Sequence, residues 1–168
     1  MAPRIVLMGP PGSGKSSVAR ALSKRTGKSF LDTDGLVEAK AGKKVSEIFI
    51  EEGEIEFRRM EKAEVLAALE GDEEIIALGG GSVLDSDVQV KMASLPCVVF
   101  LDVSISNAAP RVGFNRERPL LVGNPRAQWL SLMEARRPIY ERLATLTVST
   151  DNKKPDEVAQ EILERMPA

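Results

Sequence analysis

Residues 9–16 read Gly9-Pro10-Pro11-Gly12-Ser13-Gly14-Lys15-Ser16, a full match to the G-x-x-x-x-G-K-S/T loop that wraps nucleotide phosphates. Its surroundings narrow the fold further. The apolar run Ile5-Val6-Leu7-Met8 before the loop reads as a buried strand, and good helix formers fill residues 17–25 after it. Strand, glycine-rich loop and helix in that order commit a chain to α/β layering. The glycines let the backbone curl so that successive N–H groups point at phosphate oxygens, backed by the positive end of the helix. In such a loop Lys15 reaches the β- and γ-phosphates and the Ser16 hydroxyl ligates Mg²⁺. Gly12, Ser13, Gly14 and Ser17 complete the nucleotide-binding set. The alternative, a plain strand-to-helix turn, is disfavoured by this context.

Composition removes several classes of function. The chain has no histidine, so acid–base chemistry near neutral pH falls to carboxylates, lysine or the substrate itself. Triad hydrolases and His-ligated metal sites are disfavoured; phosphoryl transfer, which rests on positioning and electrostatics, is not. A net charge of −2 with scattered Lys and Arg gives no nucleic-acid footprint. The single cysteine, Cys97, lies in an apolar run, reads as a small core residue, and suits a reducing, cytoplasmic setting. No apolar segment approaches the roughly 20 residues of a membrane span. The first strand begins almost at the N-terminus, so no signal peptide is expected. A length of 168 residues suits one domain, 1–168, with a single sizeable core.

Along the chain, short apolar runs at 4–8, 29–31, 74–78, 97–102 and 146–149 alternate with helical stretches at 16–25, 33–41, 45–51, 54–69, 86–93, 104–112, 125–143 and 155–165. Such alternation argues a parallel sheet with helices on both faces. Pro125 and Pro155 stand at helix starts, and Gly27, Gly42 and Gly71 where helices should stop. Pro138 predicts a kink or stop that would leave Arg136 and Arg137 near a helix end. Trp129 reads as a packing residue. Residues 112–124 break the alternation: Arg116, Glu117, Arg118 and Pro119 lie between Gly113 and Gly123. Two arginines between glycine hinges suit a lid that closes over phosphates, the alternative being an ordinary solvated loop.

Three further groups carry candidate chemistry, each with a plainer alternative. Asp32 and Asp34 follow the second strand, at the end where doubly wound sheets bind ligands. One could hold Mg²⁺ through water while the other binds or deprotonates a hydroxyl; either could instead cap the next helix. Gly79, Gly80 and Gly81 allow a ligand close approach to backbone, or simply form a turn. Arg58, oriented by Glu61, can clamp a carboxylate with both guanidinium donors, or be a solvated ion pair. Asp102, at the end of a Walker-B-like strand, competes with Asp32 for the metal.

The ordered set GPPGSGKS, LDTD at 31–34, EFRR at 56–59, LGGG at 78–81, RPLL at 118–121 and RRPIY at 136–140 resembles shikimate kinase over nearly the whole chain. The resemblance implies a three-layer, nucleoside-monophosphate-kinase-like P-loop fold: five parallel strands in the order 2-3-1-4-5, flanked by helices, with a mobile lid at about 112–124 and acceptor-binding helices at about 33–61. It implies transfer of the ATP γ-phosphoryl group to the 3-hydroxyl of shikimate, in the chorismate route to aromatic amino acids, by a monomeric enzyme that binds neither nucleic acid nor membrane. Carried over by position, Lys15, Ser16 and, through water, Asp32 serve the phosphates and Mg²⁺. Asp34 would hold the acceptor hydroxyls and take the proton. Arg58, Arg136 and the Gly80 backbone would clamp the acceptor carboxylate, with Gly79 and Gly81 shaping that pocket. Arg118 would stabilise the transferring group, and Arg111 and Pro155 would sandwich adenine. Val45, Phe49, Phe57, Pro119 and Leu120 would line the apolar side of the acceptor ring. That strand order puts Asp102 across the first strand from Asp32, which favours Asp32 for the metal. Arg137 beside Arg136 leaves the clamp ambiguous by one residue. The nearest alternative is a related kinase for gluconate or a nucleoside monophosphate. A GTPase is disfavoured because Asn152-Lys153-Lys154-Pro155 has proline where N-K-x-D needs aspartate.

Overall fold

Strand β1 (Ile5–Met8) is four apolar residues, all buried, at the centre of a five-stranded sheet. A strand covered on both faces must be apolar throughout, which is why this run does not alternate. The structure, a computed structural model, describes residues 4–112 and 124–167. The other strands are β2 (Phe30–Asp32), β3 (Ile75–Ala77), β4 (Val98–Asp102) and β5 (Leu146–Ser149). They pair in parallel in the order β2-β3-β1-β4-β5, with Val6 opposite Ile76 on one side and Val98 on the other.

The two-residue period of β1 divides the core. Ile5 and Leu7 face a layer formed by helices α1 (Lys15–Thr26) and α7 (Pro155–Arg165), through Val18, Leu22, Val158 and Ile162. Val6 and Met8 face the opposite layer. There α3 (Val45–Glu70), α4 (Ser86–Ala93) and α6 (Pro125–Leu143) contribute Val65, Leu69, Met92, Trp129, Met133 and Tyr140. Cys97 is fully buried beside the first layer. A third apolar cluster, Val37, Ile48 and Phe57, joins α2 (Thr33–Ala41) to the first part of α3. The remaining helix, α5 (Ile105–Val112), lies beside the N-terminal loop, and residues 82–84 form a short 3₁₀ turn. Among the described residues no helix is long and apolar enough to cross a membrane.

Because all strands run the same way, the loop after β1, the Asp32–Asp34 turn after β2 and the glycines after β3 emerge at one edge of the sheet. Three details differ from the sequence reading. Helix α6 runs through Pro138 to Leu143, so Arg136 and Arg137 sit well inside it. The buried stripe Trp129, Met133, Arg136, Tyr140 and Leu143 keeps both halves packed while proline forfeits one N–H. Gly71 ends α3 in an extended conformation, unlike the left-handed Gly27 and Gly42. The 3₁₀ turn after the glycines was not anticipated. The lid expected at 112–124 lies, beyond Val112 and before Asn124, outside the described residues.

The break expected between residues 51 and 54 is present, as a bend within α3 at Gly53 (φ 88°, ψ 167°). A Cβ there would meet nothing within 4 Å, so the constraint is conformational and not steric crowding. Gly53→Ala should therefore cost about 1–2 kcal/mol. The urea midpoint should fall with an unchanged m-value; an unaltered midpoint would mean the two half-helices tolerate straightening.

Candidate active site

A loop whose amides face an anion must turn its carbonyls the other way and find them donors. Four successive carbonyls of the N-terminal loop are supplied. Lys15 Nζ donates to Gly9 O (2.8 Å) and Pro10 O (3.2 Å), Trp129 Nε1 to Pro11 O (2.9 Å), and Arg111 Nη1 to Gly12 O (3.1 Å). Gly12 has φ 83°, and a Cβ on it would lie 2.8 Å from both Ala108 O and Val112 Cγ2. No other residue fits there. The loop opens on a cavity of about 300 Å³ that joins Gly12, Gly14, Lys15, Ser16 and Ser17 to Asp32, Asp34, Gly80 and Arg111. A neighbouring cavity of about 220 Å³ brings Arg111 and Pro155 together with Ser13, Gly14 and Thr150. Arg111 is held there by Thr150, through Oγ1 (3.0 Å) and O (2.9 Å). The Ser13 side chain is buried, and its hydroxyl has no hydrogen-bond partner among the described residues.

The two oxygens of Asp32 have different partners. Oδ1 caps α2, accepting from the amides of Asp34 (3.0 Å) and Gly35 (3.5 Å), while Oδ2 accepts from the Ser16 hydroxyl. A serine hydroxyl touching a carboxylate is a pair of hard oxygen donors, which fits Mg²⁺. Among the described residues no group of three or more His, Cys, Asp or Glu could hold a metal. Asp102 is engaged elsewhere: Arg137 donates to both its oxygens, Nη2 to Oδ1 at 2.9 Å and Nη1 to Oδ2 at 3.1 Å. Arg137 is thus turned to β4, whereas Arg136 is turned to the glycines.

Gly79, Gly80 and Gly81 form a strip with no side chains, against which charged groups from three helices converge. A Cβ on Gly79 would lie 2.6 Å from both Asp34 Oδ1 and Glu61 Oε2; one on Gly80 would lie 3.3 Å from Arg136 Nη1 and from Gly9 O. A Cβ on Gly81 would strike the Arg58 guanidinium. None of the three has a positive φ, so these residues are glycine for close approach and not for conformation. The Gly79 amide donates to Thr33 Oγ1 (2.9 Å), tying β3 to the start of α2. Arg58 Nη1 donates to Glu61 Oε1 at 2.8 Å, and its guanidinium lies 5.3 Å from the Phe57 ring centre. Glu61 is 3% exposed and Arg136 6% exposed. Burial raises the Glu61 pKa, and Asp34 adds to the rise; Arg58 and Arg136 oppose it.

Tyr140 donates to Gly80 O at 2.8 Å and stacks on Phe100, with ring centres 4.9 Å apart. Of the expected ring-lining residues, Val45 borders a cavity with Asp32 and Asp34, while Phe49 and Phe57 pack on each other at 4.7 Å. Arg118, Pro119 and Leu120 lie outside the described residues. Sequence reasoning missed Trp129, Tyr140 and Thr33 as parts of the site; the heptad-like spacing 129, 133, 136, 140, 143 was the signal that α6 buries this face.

A family model described as "Shikimate kinase" matches residues 11–167. The chain belongs to the shikimate kinase family. The shikimate kinase of Thermobifida fusca is 48% identical over 166 residues, 99% of this chain and 96% of that protein. That of Salinispora tropica is 46% identical over 168 residues, all of both chains. Among solved structures, the shikimate kinase from Acinetobacter baumannii in complex with shikimate matches with a TM-score of 0.93 at 32% identity, covering 98% of this chain and 92% of that one. The shikimate kinase relationship thus spans both the phosphate loop and the charged strip.

The raised Glu61 pKa gives a signed test. The native state holds this proton at pH values where the unfolded chain has lost it, so the contribution to stability is present at low pH and lost as pH rises through the native pKa. The stability of the native protein minus that of Glu61→Gln should fall as pH rises above the ordinary glutamate range of about 4. Urea midpoints of both proteins across that range measure it. A difference that grows with pH would show that attraction to Arg58 outweighs burial.

Proposed function

We propose that this protein transfers the γ-phosphoryl group of ATP to the 3-hydroxyl of shikimate, giving shikimate 3-phosphate and ADP, on the route to aromatic amino acids. The observation that carries this reading is the pair of arginines, Arg58 and Arg136, meeting at a strip of glycines directly beside the phosphate loop. A small acidic polyol needs guanidinium donors for its carboxylate and a carboxylate for its hydroxyls, and Arg58, Arg136 and Asp34 meet those needs. We take residues 1–168 as one kinase domain, acting as a cytoplasmic monomer.

The loop amides, Lys15 and the Ser16 side of the cavity receive the ATP phosphates, with Gly12, Ser13, Gly14 and Ser17 framing them. Arg111 and Pro155 hold the adenine from either side of the neighbouring cavity. Ser16, and Asp32 through water, would hold Mg²⁺, which would supply positive charge against the β- and γ-phosphates. Opposite them, Arg58, Arg136 and the Gly80 backbone fix the acceptor carboxylate, and Gly79 and Gly81 leave room for it. Asp34 binds the acceptor hydroxyls and accepts the proton as the 3-oxygen bonds to phosphorus; the bond to the β-phosphate oxygen breaks and ADP leaves. Lys15 and Arg118 stabilise the charge on the transferring group.

A coupled ADP-release assay with shikimate, gluconate and a nucleoside monophosphate tests the assignment. Shikimate-dependent ADP release is expected; turnover with gluconate or a nucleotide alone would replace it with one of the related kinase activities. Arg58→Ala should raise the shikimate KM about 30-fold or more, as for loss of one partner from a buried charged contact worth about 2–5 kcal/mol. The ATP KM should change little, and equal rises in both would remove Arg58 from the acceptor pocket. Asp34→Asn should lower kcat by about a hundredfold or more, the usual contribution of a positioned general base. A near-native kcat would assign the proton to another acceptor.

A further inference from the structure

Tyr140 is the only tyrosine in the chain, and its ring would pack as well without a hydroxyl. It sits in the apolar layer with Phe100 on its face and is fully buried. Burying a hydroxyl there is unfavourable unless its oxygen and hydrogen are both used. Its hydrogen goes to Gly80 O at 2.8 Å, and the Arg136 guanidinium, one helical turn away on the same buried face, is close enough to act on its oxygen. Burial pushes its pKa up to about 12, so the group stays protonated across the working range and this bonding sense does not reverse.

Resting on the shikimate reading above, we infer that Tyr140 is a positioning residue for the acceptor carboxylate: its hydroxyl bridges Arg136 to the Gly80 carbonyl and sets where the guanidinium points. Arg136 has several torsions and five N–H donors, and its Nη1 lies 3.3 Å from where a Gly80 Cβ would be. Left to itself it would also be drawn by the Glu61 carboxylate, which attracts it electrostatically. The hydroxyl engages one side of the guanidinium and leaves the remaining donors for the ligand. It also anchors the same backbone unit that forms the pocket wall, so arginine and wall are registered to each other. Such pre-organisation strengthens ligand binding by removing the cost of ordering the arginine.

The test is Tyr140→Phe, which keeps the stacking on Phe100. Its shikimate KM should rise about tenfold, with kcat and the ATP KM within about twofold of the native enzyme. A tenfold change is about 1.4 kcal/mol, within the range of a hydrogen bond to a charged group. In an Arg136→Ala background the same substitution should have no further effect on the shikimate KM, because the hydroxyl then has no guanidinium to orient. A shikimate KM that does not change, additive effects in the double variant, or equal rises in both KM values would overturn the inference. A native enzyme that does not phosphorylate shikimate at all would instead overturn the functional reading. Because the chain has one tyrosine, growth on 3-fluorotyrosine labels this position alone in a folded protein, even if the phenylalanine variant does not fold. Its ¹⁹F resonance should move on adding shikimate and stay in place with ATP alone; a resonance indifferent to shikimate would sink the assignment.

Discussion

The pairing of β1 with β3 sets the distance between the two halves of the site. Leu78 N donates to Leu7 O at 3.0 Å, carrying the ladder one residue past the end of β3 and delivering both loops side by side. The phosphate loop leaves β1 at Gly9 and the acceptor strip leaves β3 at Gly79, so Gly80 comes to lie against Gly9 O. A register shift of one residue would turn every buried side chain of β1 to the wrong face. The chemistry is therefore held in place by backbone bonds between neighbouring strands, and the helices add the charges.

Those charges are costly to bury. Glu61, Arg58, Arg136 and Asp34 form a group of mixed sign around the glycine strip, and the raised Glu61 pKa shows that desolvation is not fully offset there. Replacing such a group with apolar residues would often stabilise a protein, so its presence argues for recognition and not for stability. Partial pairing makes it tolerable: Arg58 has Glu61, Arg136 lies beside Tyr140, and Tyr140 has Gly80. Surface pairs such as Arg59 with Glu56 carry no comparable weight.

What could be read in the sequence divides along physical lines. The phosphate loop, the strand pattern and the Gly53 break were legible because each depends on local backbone requirements written in consecutive residues. Asp32 looked like either a helix cap or a metal ligand; one oxygen is the cap, and the other meets the Ser16 hydroxyl, a contact between side chains sixteen residues apart that no local pattern announces. Arg136 and Arg137 could not be separated by motif, since helical rotation alone sends one to the glycines and the other to Asp102. Trp129, Tyr140 and Thr33 were illegible for a different reason. Their partners are main-chain groups 118, 60 and 46 residues away, and a backbone carbonyl or amide leaves no trace in the identity of its own residue. Pro138 misled because the packing of α6 on the sheet outweighs one lost backbone bond.

Helix α6 acts as a ruler. Trp129, which grips the phosphate loop, and Arg136, which reaches the acceptor strip, are seven residues apart, two turns on the same face and about 10 Å of rise. Deleting or inserting one residue between them would rotate the second by about 100° and swing the arginine off the pocket while the indole stayed home. This stretch should thus accept substitutions at its exposed positions but no change of length. The pitch of a single helix fixes how far Arg136 stands from the indole that holds the phosphate loop.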